Sequence, residues 1–176
     1  MRSLLLSVLL LAGAAQAALE ETDWLDLMPE ADRKALLEMP EITHDSPEAD
    51  SGFYTPDGGG LRSADKAMPD FMYSAQTVPA LDGREILLGG YPVPLETDQR
   101  GQFVEFFLVP YPGACIHVPP PPPNQIVLVR YPQGINLEDI YAPLWVEGVL
   151  RVEVSSNALA DFAYAIDAEK VELITE

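Results

Sequence analysis

The sequence is poor in cysteine, histidine and basic residues. Among its 176 residues there are one cysteine, Cys115, and two histidines. A single cysteine excludes an intramolecular disulfide, so the fold has to rest on its apolar core. Ten basic residues stand against 28 acidic ones. A surface with that balance repels phosphate backbones, and nucleic acid is therefore not an expected partner.

Long apolar runs are absent after the first residues, so no membrane-spanning helix is expected in the rest of the chain. There is also no Gly-x-Ser-x-Gly elbow, Walker loop, dinucleotide-binding fingerprint or His-Glu-x-x-His motif. Because the sequence contains no recognisable catalytic constellation, it favours a protein that is not an enzyme.

The first 17 residues have the pattern of a secretory signal peptide. Arg2 supplies a positive charge, an apolar stretch runs from Leu4 to Leu11, and Ala15-Gln-Ala17 is a typical cleavage site. We therefore expect export to the bacterial periplasm and a mature chain that begins at Ala18. No cysteine follows the cleavage site, so a lipid anchor is not expected.

Residues 18–40 and 41–80 differ in character from the rest of the chain. Pro29 is followed by acidic residues in what would be the first turn of a helix, and Pro40 ends the helical pattern. These features predict a short helical arm over residues 18–40. Residues 41–80 are acidic and rich in Pro, Gly and Ser, so irregular chain is expected there.

From residue 81 to residue 176 the pattern is typical of β-strands. Five strand-like stretches in about 90 residues, with glycines where a strand would bend, predict a small OB-like Greek-key barrel. A two-sheet β-sandwich is the alternative. One helical turn is predicted over residues 157–162. The stretches are residues 84–95, 103–111, 126–131, 144–154 and 164–174.

The most unusual segment is Gly113-Ala-Cys-Ile-His-Val-Pro-Pro-Pro-Pro-Pro-Asn-Gln125, called here the proline block. Its five consecutive prolines, Pro119 to Pro123, cannot donate to a β-ladder and must be extended. At ~3.1 Å per residue they form a rigid strut of roughly 15 Å. Cys115 and His117 stand two residues apart, so their side chains face the same way in an extended chain.

Three interpretations of Cys115 and His117 remain open. They could form half of a zinc site with Glu105 or Glu96 as a third ligand, since cysteine and histidine are preferred zinc ligands. His117 could instead lower the pKa of the thiol and give a redox or nucleophilic cysteine, although no second cysteine is present to resolve it. In the third interpretation Cys115 is a small buried apolar residue and His117 bonds to the backbone beside the prolines.

The proline block resembles the hallmark of a bacterial exported family of unknown function. The resemblance extends to Asp23-Trp-Leu-Asp-Leu-Met-Pro29, to Gly90-Tyr-Pro-Val-Pro-Leu-Glu96 and to Trp145-Val-Glu-Gly-Val-Leu150. Such a resemblance implies no established activity. Genes of this family often lie beside ABC transporter genes that resemble zinc-responsive uptake systems, so the resemblance implies a link to zinc.

The leading hypothesis from the sequence is a non-catalytic periplasmic accessory protein of a zinc uptake or homeostasis system. Zinc would be the cofactor, and an ABC transporter component or another periplasmic protein would be the partner. A structural or protein-interaction module without metal is the alternative, and a thiol-dependent redox protein is the second alternative. The candidate zinc ligands are Cys115, His117, Glu105 and Glu96, and the expected structural signature is Pro119, Pro120, Pro121, Pro122, Pro123, Asn124 and Trp145.

Overall fold

The computed structural model describes residues 19–38, 69–114 and 120–175. The described residues form five strands: β1 (Glu85–Thr97), β2 (Phe103–Val109), β3 (Val127–Ile135), β4 (Leu144–Ser156) and β5 (Asp161–Leu173). They also form one α-helix, α1 (Glu30–Leu37), and short 3-10 turns at Trp24–Leu27, Asp70–Tyr73, Pro79–Leu81 and Pro123–Gln125.

The five strands close into a barrel in the order β1-β2-β3-β5-β4. The β3–β5 pair is parallel, and the other neighbouring pairs are antiparallel. The long strand β1 serves two neighbours, because residues 85–90 pair with β4 and residues 91–97 pair with β2. The closed barrel, with one short helix among the described residues, confirms the predicted fold class, and the sandwich alternative is wrong.

Alternate residues of every strand fill the barrel interior. Phe106 and Leu108 of β2, Leu150 of β4 and Ile166 of β5 are fully buried there. Successive side chains of a strand point to opposite faces. The residue between the two on β2, Phe107, therefore lies on the outer wall, although it is fully buried as well.

Phe107 belongs to a second apolar cluster, the outer cluster, on the outside of the barrel. Its ring lies 5.4 Å from the ring of Phe162 of β5, measured between centroids. Leu128 of β3 joins them, and so do Ala114 and Ile126 from the connection between β2 and β3. The chain itself therefore covers the outer wall of β2 and β3, which explains why β2 is apolar on both faces.

The predicted helical turn over residues 157–162 is wrong. Asn157 Oδ1 accepts hydrogen bonds from the N–H groups of Leu159 and Ala160, at 2.8 and 2.9 Å, and its own N–H donates to the Ala160 carbonyl. Asparagine side chains favour such local turns over helix. The turn leads directly into β5, which begins at Asp161.

The predicted segments before the barrel are described only in part. The arm is present as residues 19–38, with α1 in its second half. Of residues 41–80, only 69–80 are described, and they contain two of the 3-10 turns. The signal peptide and its cleavage site lie outside the described residues. In the part of the chain that is described, no helix has the length and hydropathy needed to cross a membrane.

Candidate functional site

The candidate zinc ligands are only partly described. Cys115, His117 and Pro119 lie outside the described residues. Glu96 and Glu105 are direct partners across the β1–β2 pair, in a stretch where the register shifts on both sides of Glu96. Direct partners place their side chains about 5 Å apart on one face of a sheet. The structure therefore places the two glutamates opposite each other on neighbouring strands, at an irregularity of the β1–β2 pair.

Glu105 has a cation as its other neighbour. It pairs with Arg130 across β2 and β3. Arg130 donates to Glu153 at 2.6 Å and lies 3.8 Å from Asp167. The hydrogen bond to Glu153 raises the pKa of the Arg130 guanidinium, and the negative charges of Asp167 and Glu105 add to this effect. A fixed positive charge beside Glu105 makes this carboxylate a poorer zinc ligand than Glu96.

Metal-binding geometry is not assembled elsewhere in the described ranges. Among residues 19–38, 69–114 and 120–175, no group of three or more His, Cys, Asp and Glu side chains is placed to hold a metal ion. Zinc sites in proteins draw three or four such donors together. The zinc hypothesis therefore depends on Cys115 and His117, and their role stays a prediction.

The proline block is anchored at its first end by a turn out of β2. Gly113 has φ of +73°, a left-handed conformation that glycine adopts without strain. This geometry brings Ala114 into the outer cluster, where it is 1% exposed. Tyr111 packs on the same cluster, and burial raises the pKa of its phenol to about 12. The block thus has a buried residue, Ala114, at its first end.

The second end of the block is buried as well. Pro121 and Pro122 are buried, Asn124 is fully buried, and Gln125 is 5% exposed. Proline has no N–H group, so burying it leaves no backbone donor without a partner. Pro120 and Pro123 are half-buried beside them, and the role of the prolines as a rigid strut stays a prediction.

Asn124 joins three separate segments of the chain. Its Nδ2 donates to Asp32 Oδ2 of α1 at 2.9 Å and to the Gln76 carbonyl at 3.1 Å. Its backbone N–H donates to the Ser74 carbonyl at 3.2 Å, and Ser74 Oγ donates to the same Asp32 oxygen at 2.5 Å. Asp32 is 8% exposed, so its carboxylate depends on these donors. We call Asp32, Ser74, Gln76 and Asn124 the asparagine hub.

Gln125 connects the block to the arm. Its Nε2 donates to the Trp24 carbonyl at 2.8 Å, and Trp24 Nε1 donates to the Gly89 carbonyl at 2.6 Å. The N–H of Thr22 donates to the Leu87 carbonyl at 2.8 Å. The arm therefore lies along the half of β1 that β2 does not reach, and it covers an edge that would otherwise be open to another strand.

The Tyr164 side chain, inside the barrel, forms a hydrogen bond with the arm. Its hydroxyl donates to the Leu27 carbonyl at 2.8 Å and accepts from the N–H of Val78 at 2.6 Å. The side chain is fully buried, and this burial raises the pKa of its phenol. One hydroxyl thus links β5 to the arm and to the segment before β1.

Trp145 of β4 lies against a glycine of β1. It pairs with Gly89 across β1 and β4, and a Cβ atom at Gly89 would lie 2.7 Å from its ring. A Cβ atom at Gly90 would lie 3.0 Å from the ring of Trp24. The two tryptophans of the chain therefore sit against the Gly89-Gly90 pair, which has to lack side chains.

An open groove of about 610 Å³ lies on the outer face of β3, β4 and β5. Both of its arginines are held by carboxylates, since Arg151 Nε lies 3.3 Å from Asp167 and Arg130 bonds Glu153. Because both guanidinium groups already bond carboxylates, the groove offers little free positive charge to an anionic ligand. The groove is lined by Arg130, Pro132, Gln133, Val149, Arg151, Asp167, Ala168 and Glu169.

Sequence reasoning missed Asp32, Ser74 and Tyr164. Asp32 has the position of an ordinary first-turn helix acid, which in most helices is exposed. Ser74 lies in a segment that was expected to be irregular, and Tyr164 reads as one more apolar residue of a strand. Their partners are 42 to 137 residues away in the chain, so no local pattern could have identified them.

Comparison with known proteins adds the following. The model of a family described as "Protein of unknown function (DUF3299)" matches residues 24–173. The crystal structure of a DUF3299 family protein from Pseudomonas aeruginosa PAO1 is similar to this chain, with 38% sequence identity and a TM-score of 0.67. The match covers 91% of this chain and 99% of that one. Among curated proteins, none matches the chain.

Proposed function

The chain belongs to the DUF3299 family of proteins of unknown function, and we propose that it is a non-catalytic accessory protein of the bacterial periplasm that binds another protein through its barrel. The observation that carries the proposal is the asparagine hub. The most distinctive segment of the sequence ends in side chains that hold the arm and the segment before β1 against the barrel. This arrangement suits a rigid scaffold that binds a partner protein at its surface.

Because the outer face of β2 and β3 is covered by the chain itself, a partner has to bind other surfaces of the barrel. Barrels of the OB type commonly bind ligands on the face of β2 and β3 and on the adjoining loops. Here Phe107 and Leu128 on that face are buried under the outer cluster. A protein partner would therefore approach the loops and the ends of the barrel. A net charge of −18 favours a partner with a basic surface.

Crosslinking in intact cells tests this proposal. The full chain, tagged at its C-terminus, should be recovered from the periplasmic fraction without its first 17 residues. Formaldehyde should give a complex with another protein that is absent for a tagged periplasmic protein of unrelated fold. The purified partner should then bind the purified chain in a calorimetric titration. A chain retained in the cytoplasm, or no partner that binds the purified chain, would contradict the proposal.

A second candidate function is zinc binding at Cys115 and His117, in the service of a zinc uptake or homeostasis system. The observation that favours it is that Glu96 and Glu105 stand opposite each other across β1 and β2. Ala114, the residue before Cys115, packs in the outer cluster, which also contains Phe107 of β2. Thiolate, imidazole and carboxylate groups are the donors that zinc prefers. An ABC transporter component would then be the natural partner.

Equilibrium dialysis with zinc at neutral pH separates the two candidates. Zinc binding predicts one metal ion per chain and an affinity that falls about 10–100-fold or more in Cys115→Ser, since even the loss of an outer-sphere contact has that effect. Glu96→Gln should weaken binding more than Glu105→Gln, because the positive charge of Arg130 stands opposite Glu105 across β2 and β3. Less than one zinc ion per chain, or an unchanged affinity in Cys115→Ser, excludes the zinc candidate and leaves the binding module.

A further inference from the structure

A tight turn between β3 and β4 carries two large apolar side chains at its tip. The N–H of Ala142 donates to the Asp139 carbonyl at 3.2 Å, and the N–H of Tyr141 donates to Asp139 Oδ1 at 2.8 Å. Ile140 and Tyr141 are thus the central residues, which are usually Gly, Pro, Asn, Asp or Ser. They are 41% and 52% exposed. About half of each side chain is therefore open to solvent.

The end of β5 extends this apolar surface. The N–H of Ile174 donates to the Pro143 carbonyl at 2.9 Å, which joins the strand end to the turn. Leu173, next to it, is 48% exposed. Six large apolar side chains are exposed in the described part of the chain, and Ile140, Tyr141 and Leu173 are three of them. We call these three residues the turn patch, because the bond between Ile174 and Pro143 holds the end of β5 two residues from the tip of the turn.

The charges around the turn patch select its partner. Glu138 and Asp139 precede the tip and are exposed. On β5, Lys170 is paired with Glu172 at 2.7 Å. Each chain carries a net charge of −18, which repels a second copy and an anionic membrane surface. These negative charges favour a partner surface that carries lysine and arginine.

We propose that the turn patch inserts into an apolar pocket of a partner protein whose rim carries lysine and arginine side chains. The inference rests on the proposed function and adds to it the surface that binds and the class of partner. Tyr141 would be the main contact, because a tyrosine anchors an interface through a large rigid ring and a polar hydroxyl. Glu138 and Asp139 would meet the basic rim and speed the encounter.

Photocrosslinking from a single position tests the inference. Tyr141 of the full chain is replaced by p-benzoylphenylalanine, an aromatic photocrosslinker, and native cells are irradiated. Tyr73→p-benzoylphenylalanine is the matched control, since Tyr73 is an exposed aromatic outside the patch, at 38%. We expect a discrete protein adduct from position 141 and none from position 73. An adduct with a second copy or with lipid, equal adducts from both positions, or no adduct would overturn the inference.

A second measurement uses the partner purified from that adduct. Ile140→Ser combined with Tyr141→Ser should weaken its binding by about 30-fold or more, the effect of losing a central anchor. Val154→Ser, which removes an exposed apolar side chain elsewhere, should leave binding unchanged. Raising the salt concentration should weaken binding to the unaltered chain. If the double variant still binds the partner found by formaldehyde, the turn patch is wrong while the proposed function stands.

Discussion

Replacing Asn124 by alanine is expected to lower the free energy of unfolding by about 3 kcal/mol, because a buried charge loses a donor. Asn124 is fully buried and donates to Asp32 Oδ2 and to the Gln76 carbonyl. Without it, Asp32 keeps only Ser74 Oγ among the side-chain donors described. Asn124 Oδ1 has no partner among the described residues, so the stabilisation comes from the donor side. Urea denaturation followed by circular dichroism measures the loss.

A double-mutant cycle shows whether the loss comes from the asparagine hub. Asp32→Ala should lower the free energy of unfolding less in the Asn124→Ala background than in the unaltered chain. In that background the Asn124 donor is already lost, and the substitution removes a buried charge that lacks it. Gln133→Ala is the control, since it removes an exposed amide side chain. A loss below about 1 kcal/mol in Asn124→Ala, the range of an ordinary hydrogen bond, would mean that the hub does not hold the arm.

The barrel could be predicted because the alternation of apolar and polar residues within its strands is visible in the local sequence. Alternation along β4, with Leu144, Val146, Gly148 and Leu150 all buried, is a local pattern that reads directly as one buried face. Strand β2 has apolar residues on both faces, which predicts burial on both sides. The sequence does not say what covers the outer side, because Ala114 and Ile126 reach it only once the connection has folded back.

The candidate ligands show where local reasoning ends. Glu96 and Glu105 can each be named from composition, but their pairing depends on register shifts on both sides of Glu96. The partner of Glu105 on its other side, Arg130, follows from a second register that no pattern within β2 contains. The role of Cys115 and His117 stays a prediction from spacing.

The asparagine hub was beyond prediction for a thermodynamic reason. Asp32 lies 92 residues from Asn124 in sequence, and its burial is tolerable only because donors from separate segments converge on it. Because Asn124 belongs to the unusual proline block, the sequence alone is enough to name it as a structural residue. The identity of its partners depends on where the arm packs, and that is decided by the whole fold.

Gly148→Ala is expected to lower the free energy of unfolding by about 3 kcal/mol or more, the upper range for forcing an extra methyl group into packed structure. Gly148 lies at the irregularity of the β4–β5 pair. A Cβ atom there would meet the Asp167 carbonyl and would lie 2.8 Å from Ala168 Cα and 2.9 Å from Ile166 Cγ2. Two of these atoms belong to the β5 backbone, which cannot move aside without breaking the barrel.

Gly101→Asn is the matched control for this prediction. Gly101 has φ of +78°, and a Cβ atom there meets no other atom within 4 Å, so only its backbone conformation is strained. Asparagine tolerates that conformation better than other residues, and the expected cost is about 1 kcal/mol. Both variants are compared by urea denaturation. If Gly148→Ala costs no more than Gly101→Asn, β5 can shift at this point, and the close contact between β4 and β5 is not what keeps the barrel closed.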